Sequence, residues 1–484
     1  MNSIDWKEKK NLSMLSDFYE FTMANGYFES GMRDVIACFD MFFRSIPDDG
    51  GFAIMAGVEQ LIEYLKNLKF SQEDIEYFKS KKMFNEDFLD YLANFKFECD
   101  VWAIPEGTPI FPGEPLVIVK GPIIQAQIVE TMILITVNHQ SLIATKANRI
   151  VRAAQGRPVM EFGARRAQGY EGAILGARAA YIGGVAGSSC TIVDRDFNIP
   201  ALGTMAHSWV QMFPTELDAF RTYARLYPDN CVLLVDTYNV LQSGVPNAIK
   251  VFKEEVVPRG YRPAGIRIDS GDIAYLSKKA RRMLDEAGFE DCPIVASSGL
   301  DEYLIRDLLN QGAKIDSFGV GERLITAKSD PIFGGVYKLT AVEIDGKIIP
   351  KIKVSENVGK ITNPGFKQLY RLYDRNSNMA IADVVTLHDE VIDDTKPYEI
   401  FHPLYTWKRK TVRNFYARKL LVKIFDKGKQ VYTSPSIHEI KDYCREQVGT
   451  LWDEVKRFEK PHEYFVDLSE PLWQLRADLL NKYR

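Results

Sequence analysis

The stretch "GIRIDSGD" sets Arg267 and Asp269 two residues apart. On an extended strand that spacing points both side chains to one face. A guanidinium beside a carboxylate makes either a structural ion pair or a seat for a ligand that carries phosphate and hydroxyls. "GTMAHSW" puts His207 where a short apolar run gives way to a helical pattern. An imidazole there is either a helix-start residue without chemistry or a group that attacks or accepts a phosphoryl group, and position alone leaves both readings open. "EFGARR" adds Arg165 and Arg166, as anion binders or as partners of helix-start acids. "SSGLDE" and "FGVGERL" are glycine-bearing turns. There Ser298, Gly299, Gly319 and Gly321 let the backbone approach a ligand, and N–H groups at a helix start suit phosphate. No GxxxxGK[ST] pattern occurs, and no Ser/Asp pattern near His207 points to a hydrolase triad.

These residues need elements that bring them together. Seven short β-type runs fall in the middle of the chain: "PVMEFGARR", "GGVAGSSC", "IPALGTMAH", "CVLLVDTYN", "AGIRIDSGD", "PIVASSGLD" and "DSFGVGERL". Amphipathic helical patterns such as "IAYLSKKARRMLDEAG" and "DEYLIRDLLNQG" lie between several of them. Strand–helix alternation means parallel strands with helical crossovers, and so many units favour an α/β barrel over an open sheet. Each run ends in polar or glycine residues, among them Ser188, His207, Asp236, Thr237, Asp269, Ser297 and Arg323. In a barrel those ends share one mouth, where catalytic groups gather. A lysine at a strand end, as an aldolase would want, is absent from all seven runs.

The reading divides the chain into an N-terminal α+β domain at 1–130, the barrel at 131–340 and an α+β region at 341–484 that packs on the others. Residues 131–150 read as a helix. The last region reads as two strands, in "KLTAVEIDGKIIPKIKVS", followed by helices, one of them started by Ser436.

Composition narrows the classes. The 484 residues carry a net charge of −4, without the basic surplus of a nucleic-acid binder. The six cysteines are scattered with no CxxC pair, which argues against a zinc site or disulfide framework and fits a reducing cytoplasm. "MNSIDWKEKKNLSMLSDFYE" has no apolar signal core, and no apolar run nears the ~20 residues of a membrane span. A cytoplasmic protein without membrane or nucleic-acid partners is expected.

"SDFYEFTMANGYF", "EFGARRAQG", "GTMAHSW", "GIRIDSGD", "SSGLDE", "FGVGERL" and "GGVYKL", in that order, resemble the nicotinate phosphoribosyltransferase family, and "VDLSEPL" extends the likeness toward the C-terminus. The resemblance implies an irregular, type II phosphoribosyltransferase-like α/β barrel with additional N-terminal and C-terminal α+β units, the N-terminal one contributing to the substrate site. It implies that nicotinate and 5-phosphoribosyl 1-diphosphate give nicotinate mononucleotide and diphosphate in NAD salvage. Mg²⁺ is required, and ATP hydrolysis is coupled through a phosphohistidine, by motif His207. Arg267 and Asp269 are then catalytic with His207. Asp269 and Asp272 are tied to magnesium and diphosphate as oxygen ligands, or to the ribose, and the metal ligands stay unassigned.

Tyr19 and Phe162 match the aromatic pair that sandwiches the pyridine ring in the related nicotinamide enzyme, with Arg165 at the matching place. Thr204, Ser208, Ser298, Gly299, Gly319, Gly321 and Glu322 fall in substrate-binding motifs. The nicotinamide enzyme has an aspartate where this chain has Ser188, so a carboxylate substrate is expected to be tolerated. The family pattern has threonine after "GVG"; Glu322 here is an unexpected charge beside a phosphate loop. A homodimer is expected, with Tyr19 donated across the interface. The alternatives are a nicotinamide- or quinolinate-type phosphoribosyltransferase, or an inactive paralogue that binds NAD precursors. Ser188 argues against the first, the His207 motif against the second, and intact His207, Arg267 and Asp269 against the third.

Overall fold

A computed structural model describes residues 11–483. The expectation of no signal core rests in part on residues 1–10, which lie outside the described residues. The chain forms two compact units, one of residues up to Leu142 together with Ile332 onward, the other of Ile143–Pro331.

In the first unit, α1 (Phe18–Glu29) precedes a seven-stranded sheet. The strands Ile36–Phe42, Val117–Pro122 and Asp100–Ala103 are adjacent and antiparallel within it. Val336–Ile344 adds to one side and Val422–Asp426 to the other. A four-stranded sheet is built on Lys367–Asp374 and Ala380–Leu387. Their register pairs Arg371 with Asp383. Both are fully buried. The guanidinium donates to Asp383 through Nε at 2.7 Å and Nη2 at 2.6 Å, and Nη2 also donates to the Pro109 carbonyl at 2.8 Å. The Tyr464 hydroxyl donates to the same carboxylate at 2.9 Å. Burial and the Asp383 charge push the nearby Glu114 carboxyl well up.

The helix expected over 131–150 is α2 (Glu130–Ala153), which runs from the first unit into the second. The second unit contains β1 (Val159–Glu161), β2 (Gly187–Ser188), β3 (Val232–Leu234), β4 (Gly265–Ile268), β5 (Ile294–Ser297) and β6 (Ser317–Val320). Every ladder is parallel, in the order β2-β1-β6-β5-β4-β3. Followed around, this is chain order on a ring: β1 pairs with both β2 and β6. Helices α3 (Gly169–Ile182), α4 (His207–Gln211), α5 (Ile273–Glu286), α6 (Glu302–Asn310) and α7 (Glu322–Ile325) alternate with the strands. The stripe Ile273, Ala274, Ser277, Ala280 and Leu284 of α5 is buried, as the 3.6-residue period requires.

One expected strand does not form. "IPALGTMAH" makes a single parallel bridge, Ala201 to Ser188. Ser188 N–H donates to the Pro200 carbonyl at 3.0 Å and Leu202 N–H to the Ser188 carbonyl at 2.8 Å. Pro200 itself has no N–H to give a ladder. Among the described residues no ladder crosses from this segment to β3, so the barrel is irregular with one open seam.

The buried pair gives a direct test. Asp383→Ala leaves the Arg371 charge buried and should cost about 3–5 kcal/mol. Arg371→Met combined with Asp383→Leu removes both charges and should cost clearly less. Denaturant unfolding of the two variants checks this; equal losses would contradict it.

Candidate active site

Arg267 and Asp269 extend from the C-terminal end of β4. The register that pairs Ile268 with Ala296 sets Asp269 beside Ser297. Arg267 Nη2 donates to Asp269 Oδ1 at 2.7 Å, and its Nε donates to Ser297 Oγ at 2.8 Å. The Ser297 hydroxyl donates in turn to the same Asp269 oxygen, which closes a ring over two strands. Burial opposes ionisation of Asp269. The bonds from Ser297 and Arg267 and the guanidinium charge outweigh it and hold the carboxyl below its usual range. Asp236, just beyond β3, accepts from Asp269 N–H at 3.1 Å and from the Ser270 hydroxyl at 2.6 Å, both at Oδ2. Its Oδ1 is buried with no hydrogen-bond partner among the described residues.

His207 is the first residue of α4, and no side chain caps that helix. The imidazole is held from the barrel instead. Nδ1 is 3.1 Å from Thr237 Oγ1, and Nε2 is 3.8 Å from Asp269 Oδ2. Its side chain is 40% exposed, so the ring is both oriented and reachable. Arg267 Nη1 reaches the seam segment as well, at 3.5 Å from both Thr204 Oγ1 and the Met205 carbonyl. His207, Arg267, Asp269 and Thr204 therefore meet at one mouth.

Phe162 follows β1, and its N–H donates to the Val320 carbonyl at 2.8 Å. A Cβ at Gly319 would stand 2.5 Å from its ring, so glycine there is what seats the phenyl group. The Arg267 guanidinium lies 5.5 Å from the ring centroid. Ser298 and Gly299, after β5, take consecutive positive φ values of 107° and 58°. Such φ is strained for serine, and turns of this kind open N–H groups to an anion. Both residues are exposed, as are Arg165, Arg166 and Ser208.

Some assigned residues have other partners. Asp272 caps α5, accepting from Tyr275 N–H at 2.9 Å. Glu322 is exposed and pairs with Lys328 at 2.7 Å, while Arg323 pairs with Asp301. Ser188 is fully buried, and its hydroxyl donates to Glu161 at 2.6 Å. Tyr19 belongs to the first unit, on α1, where it is 45% exposed. Burial, followed by the Glu130 carboxylate that it hydrogen-bonds, pushes its phenol up to about 12.

Four residues of this network had no assigned role: Ser297, Asp236, Thr237 and Glu161. The first three stand at the polar ends of runs, the one signal that marked them. Glu161 sits inside an apolar run, where nothing in its neighbours distinguishes it from a core position.

Sequence models of nicotinate phosphoribosyltransferase match in chain order: the N-terminal domain at 14–138, the family's main domain at 158–371 and the C-terminal domain at 366–476. The nicotinate phosphoribosyltransferase of Bacillus subtilis (strain 168) is 45% identical over 474 residues, 98% of this chain and 96% of that protein. The chain belongs to the nicotinate phosphoribosyltransferase family. The Homo sapiens member is 30% identical over 519 residues, 96% of this chain and 95% of that protein. A crystal structure of human nicotinic acid phosphoribosyltransferase superposes with a TM-score of 0.83 at 28% identity, covering 96% of this chain and 100% of that one. At 23% identity, nicotinate-nucleotide pyrophosphorylase from Pyrococcus furiosus shares the fold, with a TM-score of 0.70 over 93% of this chain and 98% of its own. The family's type II phosphoribosyltransferase fold, an irregular α/β barrel, is thus the fold described above.

The bonds of Arg267 to the seam predict a local effect. Arg267→Ala should speed amide exchange across residues 204–211 on the order of tenfold, the scale of one lost hydrogen bond. Hydrogen–deuterium exchange resolved by peptide checks this; unchanged exchange there would show that the segment holds without the arginine.

Proposed function

We propose that the protein transfers the phosphoribosyl group of 5-phosphoribosyl 1-diphosphate to nicotinate, releasing diphosphate, and couples this to ATP hydrolysis through a phosphate carried on His207. The observation that carries this reading is the Arg267–Ser297–Asp269 ring with His207 beside it at one mouth.

The ring nitrogen of nicotinate supplies the electron pair for the new bond to the anomeric carbon. The bond from that carbon to the diphosphate oxygen breaks, and its electrons leave with diphosphate. The pyridine nitrogen carries no proton at neutral pH, so no general base is needed and catalysis rests on positioning and electrostatics. Positive charge grows on the sugar as the leaving group departs. Asp269, held ionised, faces that charge, and Arg267 meets the departing anion. Phe162 supports the pyridine ring, and the exposed Arg165 and Arg166 suit the nicotinate carboxylate. The positive-φ turn at Ser298 and Gly299 offers N–H groups to the sugar phosphate.

Among the described residues no cluster of three or more His, Cys, Asp or Glu forms a metal cage. Magnesium suits the site even so, because it keeps waters and substrate oxygens and needs only one or two carboxylates. Asp236 Oδ1, which has no partner among the described residues, and Asp269 Oδ2, which faces His207 Nε2 at 3.8 Å, are the oxygens that would hold it. When bound it neutralises diphosphate charge.

For the ATP-coupled half, neutral His207 attacks the terminal phosphorus as the bond to the ADP oxygen breaks. With the Nδ1 proton donated to Thr237, Nε2 carries the free lone pair. The phosphate gained adds a strong anion beside the diphosphate seat.

Incubation with nicotinate, nicotinamide or quinolinate, plus phosphoribosyl diphosphate and Mg²⁺, with and without ATP, tests the reading. Nicotinate should be converted fastest, ATP should stimulate, and His207→Ala should lose that stimulation. Faster turnover of nicotinamide, or full stimulation of His207→Ala, would refute it. The proposed homodimer, with Tyr19 completing the partner's site, is supported by the exposure of Tyr19. Co-expressed Tyr19→Ala and Arg267→Ala chains, each inactive alone, should recover about a quarter of wild-type activity, because half of the dimers then hold one intact site. No recovery would show that each chain uses its own Tyr19.

A further inference from the structure

A cavity of about 690 Å³ lies in the first unit, and none of the residues assigned to the reaction lines it. Its size is that of sites for small organic ligands, which span about 300–1,000 Å³. Ile46, Phe111, Tyr464 and Phe465 give it apolar walls. Tyr464 stacks on Phe111 at 3.9 Å between centroids, and its hydroxyl is engaged by Asp383, so these two rings are rigid wall rather than movable filler.

Two charged groups that line this cavity, Asp467 and Lys410, have no hydrogen-bond or ion-pair partner among the described residues. Asp467 is only 4% exposed, and its carboxyl makes no hydrogen bond or ion pair among the described residues. Its strand is fixed, with Asp467 in register against Val384. A buried carboxyl without a partner is costly, and burial pushes this one up to about 7. Strand pairing puts Lys410 opposite Ile400 on the hairpin Tyr398–Phe401/Arg409–Val412. Lys410 lines the cavity and has no ion pair among the described residues. Arg409, its neighbour, is engaged by Glu399 at 2.5 Å and by the Thr406 carbonyl at 2.9 Å. Lys408 lines the cavity too, two residues from Lys410 along the chain. His402 Nδ1 accepts from the Leu404 and Tyr405 N–H groups at 3.1 and 3.0 Å. Its remaining proton therefore sits on Nε2, as a donor.

Apolar walls, the unpaired Lys410 with Lys408 held over the Tyr405 and Trp407 rings, and a buried carboxyl without a donor together describe a ligand. We propose that this cavity binds an aromatic organic anion bearing an N–H donor, its rings against Phe465 and Ile46, its anionic group at Lys408 and Lys410, and its N–H at Asp467. The ligand gives the unpartnered Asp467 a donor, while the lysines give charge selectivity.

8-Anilinonaphthalene-1-sulfonate has fused aromatic rings, a sulfonate and an anilino N–H, and serves as the probe. Titrated into the full-length protein and followed by fluorescence, it should fill one saturable site per chain. Saturating nicotinate with phosphoribosyl diphosphate should leave its Kd unchanged. Lys410→Glu, a surface change that keeps the fold and the transferase activity, should weaken binding about tenfold. Ile46→Trp, which fills the cavity, should abolish it, and Asp467→Asn should weaken it with no loss of Lys410 dependence. Absence of a saturable site, displacement by the substrates, or a Kd unchanged in both Lys410→Glu and Ile46→Trp would overturn the proposal.

Discussion

The guanidinium of Arg267 holds what the barrel's hydrogen-bond ladder leaves open. Its Nε and Nη2 tie β4 to the end of β5 through Ser297 and Asp269. Its Nη1 reaches Thr204 and Met205, in the segment where the ladder stops. Three chain segments thus converge on one planar, always-charged group whose donors sit in a fixed fork. The same contacts keep Asp269 ionised, and Asp269 in turn faces His207. Architecture and electrostatics at this mouth are therefore one arrangement: the residue that reaches the seam also helps Ser297 lower the pKa of the carboxylate beside the imidazole.

Buried polar atoms without hydrogen-bond partners among the described residues occur in both units, among them Arg371 Nη1 and Glu114 Oε1 in the first and Asp236 Oδ1 at the barrel mouth. In the first, the Arg371–Asp383 pair is bidentate and backed by Tyr464 and Pro109, and the pKa of Glu114 nearby is pushed up. That is how a buried charge is made tolerable. At the barrel mouth, unmet and strained groups sit close together. Asp236 Oδ1 has no partner, Ser298 sits at φ 107°, and His207 is two-fifths exposed. Strain and unmet hydrogen-bonding capacity persist only where surrounding structure enforces them, and they concentrate where a ligand is to supply the missing partner.

Much of the mouth was legible because its residues sit where a rule applies. Polar side chains at the ends of parallel strands face one opening, and Arg267, Asp269 and Ser298 follow that rule; His207 reaches the same mouth from a helix start instead. What escaped was set by neighbours far along the chain. Asp272 carries the type of a metal or ribose ligand, but an acid just before an apolar-periodic segment is equally a helix cap, and the Tyr275 N–H engages it. "IPALGTMAH" has strand composition and forms one bridge, because Pro200 has no donor to extend the pairing. The C-terminal region read as two strands and then helices, yet Lys367–Asp374 and Ala380–Leu387 form the centre of a sheet. The first of these is buried on both faces, so it shows no alternation. Its Lys367 and Arg371 look like surface residues until Asp40 and Asp383 are found beside them.

Ser188 shows why residue type alone is an incomplete guide to charge selectivity. Serine in place of an aspartate removes a negative group at that position, yet a carboxyl stands one hydrogen bond away, on Glu161. That carboxyl is itself buried, and burial raises its pKa against the bonds from Ser188 and the Gly163 N–H. The acid is thus fully buried and bonded by both of those donors. Serine is small enough to be fully buried and can donate to Glu161, which an ionised aspartate cannot do. The substitution of serine for aspartate therefore does not by itself empty this position of acid: the carboxyl of Glu161 stands behind it, buried and bonded.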